Sequence, residues 1–270
     1  MKKLSIIIPV YNEAPFLRRC LNSVREANTA PEDVEVIIMD DCSNDGSEFI
    51  VNDYVDDFKV IHSFWGRPFG VSYMRNYGIE VAKGEYITFL DSDDRYTLKA
   101  VSEMLKAADG RNIVQFNHMI WSATKGRGIN KYEADPGRYD LPNLPPFWVG
   151  VWNKIYKREF IEKNKIRFDK RLKYGEDELF NLDALAFCPF IEFEESTTVI
   201  KHRDNPRSLS KIKRPDDLLL LSQILTGKLW SDNDDHKAGK VIDQETYNAF
   251  IRKIVGDHWN SKTYIDAFGG

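Results

Sequence analysis

The chain has 270 residues, 42% hydrophobic and 30% charged, enough for one domain of roughly 200–250 residues with an extension. A net charge of −4 offers no basic field for nucleic acid or an acidic membrane, and the composition shows no low-complexity tract or internal repeat. Three cysteines, Cys20, Cys42 and Cys188, form no C-x-x-C pair, which argues against a zinc site or a disulfide framework and suits a reducing compartment.

The opening "MKKLSIIIPVYNEA" is a poor signal peptide, because its apolar run is short, is broken by Ser5 and Pro9, and is followed by no small-residue cleavage site. Nowhere do about 18 apolar residues follow one another, so no transmembrane span is expected and the reading is a cytoplasmic protein, with peripheral membrane association left open. "LSIIIPV" is a continuous β-branched run, the pattern of a strand covered on both faces. Phe16, Leu17, Cys20, Leu21 and Val24 then recur at helical spacing, with Pro15 tolerated in the first turn. Val34–Met39 is a second strand, "EFIVNDYV" a short helix, and Phe58–His62 a third strand. A helix follows over Val71–Ala82 with Gly84 as its stop, then the strand "EYITFL" and a helix over Leu98–Ala108. This alternation predicts an α/β, Rossmann-like and mostly parallel sheet flanked by helices. In such a sheet ligands bind beyond the strands' carboxyl ends, here "PVYNE", "MDDCSNDGS" and "FLDSDD", two of them strongly acidic.

The middle is less regular. "NIVQFNHMIW" and "PFWVGVWNKIY" read as strands, "YEADPGRYDLPNLPP" as a Pro/Gly-rich loop, and "EDELFNLDALAF" as a helix. From Asp216 two amphipathic helices are expected, "DDLLLLSQILTGKLW" and "QETYNAFIRKIVGDHW", suited to packing on the core, to a homodimer or to a membrane surface.

Asp91, Asp93 and Asp94 crowd three carboxylates behind an apolar strand, and their repulsion needs water, a helix N-terminus or a cation to offset it. A solvated turn capping the next helix is the plain alternative. A calcium loop fails because Arg95 and Tyr96 stand where an oxygen ligand and a glycine belong. A dehalogenase-type phosphatase expects its D-x-D after the first strand, not the fourth. What remains is a divalent cation held by one or two carboxylates and completed by a substrate's phosphates.

Four ordered blocks, "SIIIPVYNEAPFLRRCLNSV", "VEVIIMDDCSNDGS", "GVSYMRNYGIEVAKGEYITFLDSDD" and "YGEDELF", together resemble a family-2 inverting glycosyltransferase with the GT-A fold, over roughly Leu4 to Ser210. The resemblance implies a nucleotide-binding half at 1–110, an acceptor and lid half at 111–213, and a helical C-terminal extension at 214–270. It implies a nucleotide-sugar donor, chiefly a UDP-sugar, Mn²⁺ or Mg²⁺ as cofactor, a glycan or lipid-linked acceptor, and hexosyl or N-acetylhexosaminyl transfer in surface polysaccharide or glycan synthesis. Pro9, Tyr11 and Glu13 are assigned to the nucleoside, where Tyr11 offers a face for the base and Glu13 an acceptor for ribose hydroxyls. Asp41 is placed at the uracil, and Arg75 beside the nucleotide and the metal-binding carboxylates. Asp93 is expected on the metal, and Asp91 on the donor or the metal; Asp94 receives no role.

The same resemblance makes Asp177 the general base, with Glu176 its neighbouring alternative, although acidic residues at a helix start also complement the helix dipole. Lys201–Arg214, "KHRDNPRSLSKIKR", has seven basic or histidine residues in fourteen and is expected to be a lid over the diphosphate. Within it His202 is a candidate metal or phosphate ligand, and Arg203 or Arg207 a candidate oxygen clamp. Trp152 is a candidate sugar or acceptor wall. Two other readings stay open: a catalytically inactive sugar-nucleotide or glycan-binding relative, and a metal-dependent phosphatase or phosphotransferase.

Overall fold

The computed structural model describes residues 2–62, 66–122, 130–145, 148–206 and 215–230, with Glu245 and Ala249 beyond them. The first half runs β1 (Leu4–Val10), α1 (Ala14–Ala27), β2 (Val34–Asp40), α2 (Ser47–Asn52), β3 (Lys59–His62), α3 (Val71–Val81), β4 (Tyr86–Phe89), the two-residue β5 (Arg95–Tyr96) and α4 (Ala100–Ala107). The second half adds β6 (Ile113–Trp121), β7 (Asn130–Tyr132), β8 (Gly137–Asp140), β9 (Lys154–Lys157), α5 (Arg158–Lys163), α6 (Glu176–Phe187), β10 (Phe190–His202) and α7 (Pro215–Trp230).

The strands join in the order β3-β2-β1-β4-β9-β6-β10-β5, with β7 beside β6 and β8 beside β10. β3, β2, β1 and β4 are parallel, as the alternating pattern predicts, and so is the long β6–β10 pair. β9 runs antiparallel between β4 and β6, so β6 and β10 point the same way as β1 and β4. The carboxyl ends of β1, β2, β4 and β10 therefore share one rim.

β1 shows no alternation in sequence because it is buried along its whole length. Ile7 faces one apolar cluster with Ile37, Met39, Met74 and Ile79, while Leu4, Ile6 and Ile8 face another with Leu17, Cys20, Leu21 and Val24 of α1. Gly78 lets α3 approach β1, since a Cβ there would collide with Ile7.

Three expectations need correction. "PFWVGVWNKIY" is a strand only from Lys154; before it the chain turns, because the buried Lys154 ammonium donates to the carbonyls of Trp148, at 2.7 Å, and Gly150. The Pro/Gly-rich segment contains strand β8, antiparallel to β10, and a 3₁₀ turn at Leu141–Asn143. Lys201 and His202 are not loop residues but the last two of β10, paired with Ile120 and Trp121 of β6. Residues 207–214 of the expected lid, Arg207 included, and nearly all of the second C-terminal helix lie outside the described residues.

The first of the two C-terminal helices, α7, packs on the body, with Leu221 and Leu225 fully buried in the same cluster as Leu179 and Phe180 of α6. Among the described residues no helix is long and apolar enough to cross a membrane.

Candidate active site

The rim loops are tied to one another before any ligand is considered. Asn12 adopts a left-handed backbone (φ 54°), and its Oδ1 accepts from the Asn44 N–H at 2.8 Å. The first turn of α1 has no side-chain cap of its own; the N–H groups of Glu13 and Ala14 donate instead to Ser47 Oγ at 2.9 Å and Asp45 Oδ2 at 3.1 Å. "NDGS" thus works as turn chemistry, with Gly46 at φ 97°, and also as a cap for the neighbouring loop.

At the centre stands Arg75, buried on α3. Its Nη2 donates to Asp91 Oδ1 at 2.8 Å, and its Nη1 to Asp177 Oδ1 at 2.6 Å and Glu176 Oε1 at 3.0 Å. One guanidinium therefore joins the D-x-D to the acidic turn that opens α6. Burial disfavours its charge, but Asp177, Asp91 and Glu176 outweigh that and raise its pKa.

Lys201, at the end of β10, is the second cation. Its ammonium donates to Asp94 Oδ2 at 2.9 Å and Asp91 Oδ2 at 3.2 Å, and lies 4.4 Å from the centre of the Trp152 ring. Burial would lower its pKa, but Asp94 and Asp91 raise it instead. The three aspartates respond differently. Burial would lift Asp91, yet Lys201 and Arg75 hold it below the usual carboxylate range. Burial keeps Asp94 above that range despite Lys201, and burial with Asp91 raises Asp93. Asp93 Oδ2 accepts from Asn205 Nδ2 at 2.9 Å, and the same amide reaches both oxygens of Glu13 at 3.1 Å. Burial and the nearby Asp93 push Glu13 up to about 7.

The acidic turn begins at Gly175, whose left-handed φ of 79° starts α6. Burial raises Asp177 although Arg75 opposes it; burial and Asp177 raise Glu176. The other Asp177 oxygen, Oδ2, faces the Val151 N–H at 3.4 Å, in the turn that Lys154 shapes.

The structure thus gathers six of the candidates on one rim in two bonded groups, Arg75 with Asp91, Glu176 and Asp177, and Asn205 with Glu13 and Asp93. Other candidates stand apart. Tyr11 is 47% exposed at the rim, as a stacking face requires. Pro9 is buried within β1 opposite Met39. Asp41 is buried and accepts the N–H groups of Phe69 and Gly70 at 2.9 and 2.7 Å, fixing the entry to α3. Arg203 is exposed, its own N–H bonded to the Trp121 carbonyl at 3.0 Å. His202 touches the aspartates through its backbone, which donates to Asp94 Oδ1 at 2.8 Å. Its ring packs 4.9 Å from that of Trp121, its Nδ1 lies 3.8 Å from Asp204 Oδ2, and among the described residues neither buried ring nitrogen has a hydrogen bond. Burial and Arg19 lower it to about 4, so it is a neutral imidazole.

For a cation, Asp91, Asp93 and Asp94 each offer an oxygen within 4.8 Å of one another, and His202 is not in that group. An all-carboxylate set suits hard cations such as Mg²⁺ or Mn²⁺. Among the described residues Asp93 is the one member without an ion pair, since Asp91 and Asp94 share Lys201. The residues fit such an ion with Asp93 as the available ligand. A separate open cleft of about 1160 Å³, lined by Arg19, Glu26, Lys99 and Glu195 among others, lies between α1, α4 and β10 and contains none of these carboxylates.

Sequence reasoning missed Lys201 as an individual, Asn205 and Lys154. Lys201 is hidden among seven basic or histidine residues; Asn205 and Lys154 carry no pattern of their own.

The family model for glycosyl transferase family 2 matches residues 5–170 of the chain. The chain belongs to that family. It is 30% identical to the uncharacterized glycosyltransferase EpsJ of Bacillus subtilis, over 77% of this chain and 63% of that protein. To the poly(ribitol-phosphate) beta-N-acetylglucosaminyltransferase TarP of Staphylococcus aureus it is 32% identical, over 68% of this chain and 58% of the other. It thus spans less than two thirds of either relative. The crystal structure of S. aureus TarS 1–349 in complex with UDP-GlcNAc superposes with a TM-score of 0.79 at 20% identity, covering 99% of this chain and 80% of that one. The mannosyltransferase PcManGT of Pyrobaculum calidifontis, in complex with GDP-Man and Mn²⁺, gives 0.59 at 14% identity, covering 99% of this chain and 76% of that one. Both likenesses establish the GT-A fold.

Proposed function

We propose that the chain moves a hexosyl or N-acetylhexosaminyl group from a UDP-sugar to a hydroxyl of a glycan or lipid-linked acceptor, with inversion, in surface polysaccharide or glycan synthesis. The observation that carries this is the Arg75 guanidinium, bonded at once to Asp91 of the D-x-D and to Glu176 and Asp177. Donor and acceptor chemistry then meet at one residue. The UDP-GlcNAc complex of the structural relative and the name of TarP support a UDP-sugar and a polymer acceptor.

In this reading Tyr11 stacks on the base, Glu13 and Asp41 bind ribose and uracil, and Asp91, fixed by two cations, receives the donor sugar. Asp93, with Asp91 and Asp94 beside it, would hold Mn²⁺ or Mg²⁺. A bound divalent cation neutralises charge on the departing diphosphate. Arg75 occupies Asp177 Oδ1, and Oδ2, whose bond from the Val151 N–H is long at 3.4 Å, is the oxygen that takes the acceptor's proton. The acceptor oxygen bonds to the anomeric carbon as the bond to the diphosphate breaks, from opposite faces, and the proton goes to Asp177. Burial raises Asp177 above the ordinary aspartate value, which makes it a stronger base than a free aspartate.

The test is a panel of UDP-sugars with Mn²⁺ and ribitol-phosphate polymer or glycan acceptors, scored by UDP release and by mass and anomeric configuration of the product. A single product of inverted configuration is expected. Release of free phosphate from phosphomonoesters without sugar transfer would replace this reading with the phosphatase alternative.

A further inference from the structure

We infer that Lys201 makes divalent-cation binding dependent on a bound nucleotide diphosphate, by occupying two of the three carboxylates that would otherwise hold the ion. The inference rests on the proposed reading of the aspartate trio as a cation site.

A census of the oxygens supports it. Asp91 Oδ1 accepts from Arg75 at 2.8 Å and its Oδ2 from Lys201 at 3.2 Å. Asp94 Oδ2 accepts from Lys201 at 2.9 Å and its Oδ1 from the His202 N–H at 2.8 Å. Each carboxylate oxygen of these two residues already accepts a hydrogen bond, and Lys201 donates one to each residue. Asp93 alone of the trio has no ion pair among the described residues.

The ammonium is held in place. Its backbone is paired to Ile120 within the sheet, and its charge sits 4.4 Å from the Trp152 ring, which the His118 ring meets edge-on at 4.6 Å. An ion of the Mg²⁺ or Mn²⁺ class needs near-octahedral oxygen coordination and surrenders water reluctantly. One carboxylate beside a fixed ammonium is a poor site for it. A diphosphate brings both the missing oxygens and the missing negative charge. Without Lys201, Asp91 and Asp94 would each regain an oxygen, and the trio would form an acidic site that binds the ion unaided.

The probe is Mn²⁺, titrated into the full chain by electron paramagnetic resonance with and without saturating UDP. Wild type should bind Mn²⁺ at least about 10-fold more tightly with UDP than without. Lys201→Met should bind Mn²⁺ alone about 10–100-fold more tightly than wild type, so that the gap closes, while Lys201→Arg should keep it. Coupling is reciprocal, so the gain in UDP affinity caused by Mn²⁺ must shrink by the same factor in Lys201→Met. An unchanged Mn²⁺-alone affinity in folded Lys201→Met overturns the inference and leaves the cation site standing. Wild type alone also decides: equal Mn²⁺ affinity with and without UDP overturns the inference even if the variant fails to fold. If UDP binds but Mn²⁺ never does, in any variant, the cation reading and the inference fall together.

Discussion

Arg75 and Asp177 meet at 2.6 Å although they lie on different helices, α3 and α6, more than a hundred residues apart. The contact puts Asp177, the proposed base, under the control of the same side chain that steadies the D-x-D. Arg75→Met would leave Glu176, Asp177 and Asp91 without their shared counter-charge, and breaking a buried pair in this way costs about 3–5 kcal/mol. Arg75→Lys keeps the charge but lacks the fork that spans three carboxylates. It should melt closer to wild type yet lose most transfer. Thermal denaturation and a turnover assay on the two variants separate stability from chemistry.

Asp93→Ala removes the one aspartate of the trio that has no ion pair among the described residues. Because it stands in a loop beyond β4, the fold should survive. Calorimetric titration of UDP with Mn²⁺ should then show binding lost or reduced to its metal-free level. Unchanged affinity and unchanged metal dependence would move the cation elsewhere.

Glu13 carries a pH signature. Burial and Asp93 raise it to about 7 in the folded chain, against an unfolded value near 4.3. A raised acid binds its proton more tightly when folded, so its contribution to stability is full below about pH 4 and is lost as pH rises through about 7. Glu13→Gln, which can still accept from Asn205, should therefore gain melting temperature relative to wild type at pH 8 and gain none at pH 4. Parallel melting curves for the two proteins across that range would remove Glu13 as the cause.

Gly175 offers a structural test of how α7 supports the acidic turn. It sits at φ 79°, and a Cβ there would lie 2.5 Å from Leu221 Cδ2. Gly175→Ala should lose about 1–2 kcal/mol to the left-handed backbone alone, and more from the contact. Chemical denaturation of Gly175→Ala with and without Leu221→Ala would separate the two, because shortening Leu221 relieves only the contact.

Much of this is legible in the chain itself. "LSIIIPV" announces a strand buried on both faces, and the order of acidic strand ends announces a rim. Glu13, Arg75, Asp91, Asp93 and the "GED" turn stand out by pattern and resemblance, and they converge in space. The missed features depend on backbone placement that no local pattern encodes. Lys201 differs from the other basic residues of its run only because β10 ends beside Asp91 and Asp94. Lys154 bends the segment before β9 through carbonyls, which every residue possesses, so the alternating aromatics there imitate a strand. β8 hides in a Pro/Gly-rich segment because an exposed edge strand needs no apolar face.

The central claim is that Asp177, held by Arg75, takes the acceptor's proton. Its most direct test is the pH profile of kcat for wild type, Asp177→Asn and Glu176→Gln with the same UDP-sugar, alongside UDP affinity for each. Wild type should lose activity on the acid side of a pKa above the ordinary aspartate value, since burial raises Asp177 and only the ionised form accepts a proton. Asp177→Asn should keep its UDP affinity, lose about 10²–10⁴ in kcat and lose that acid limb. Glu176→Gln should retain the limb. An Asp177→Asn protein that transfers sugar at the wild-type rate with the limb intact would contradict the account.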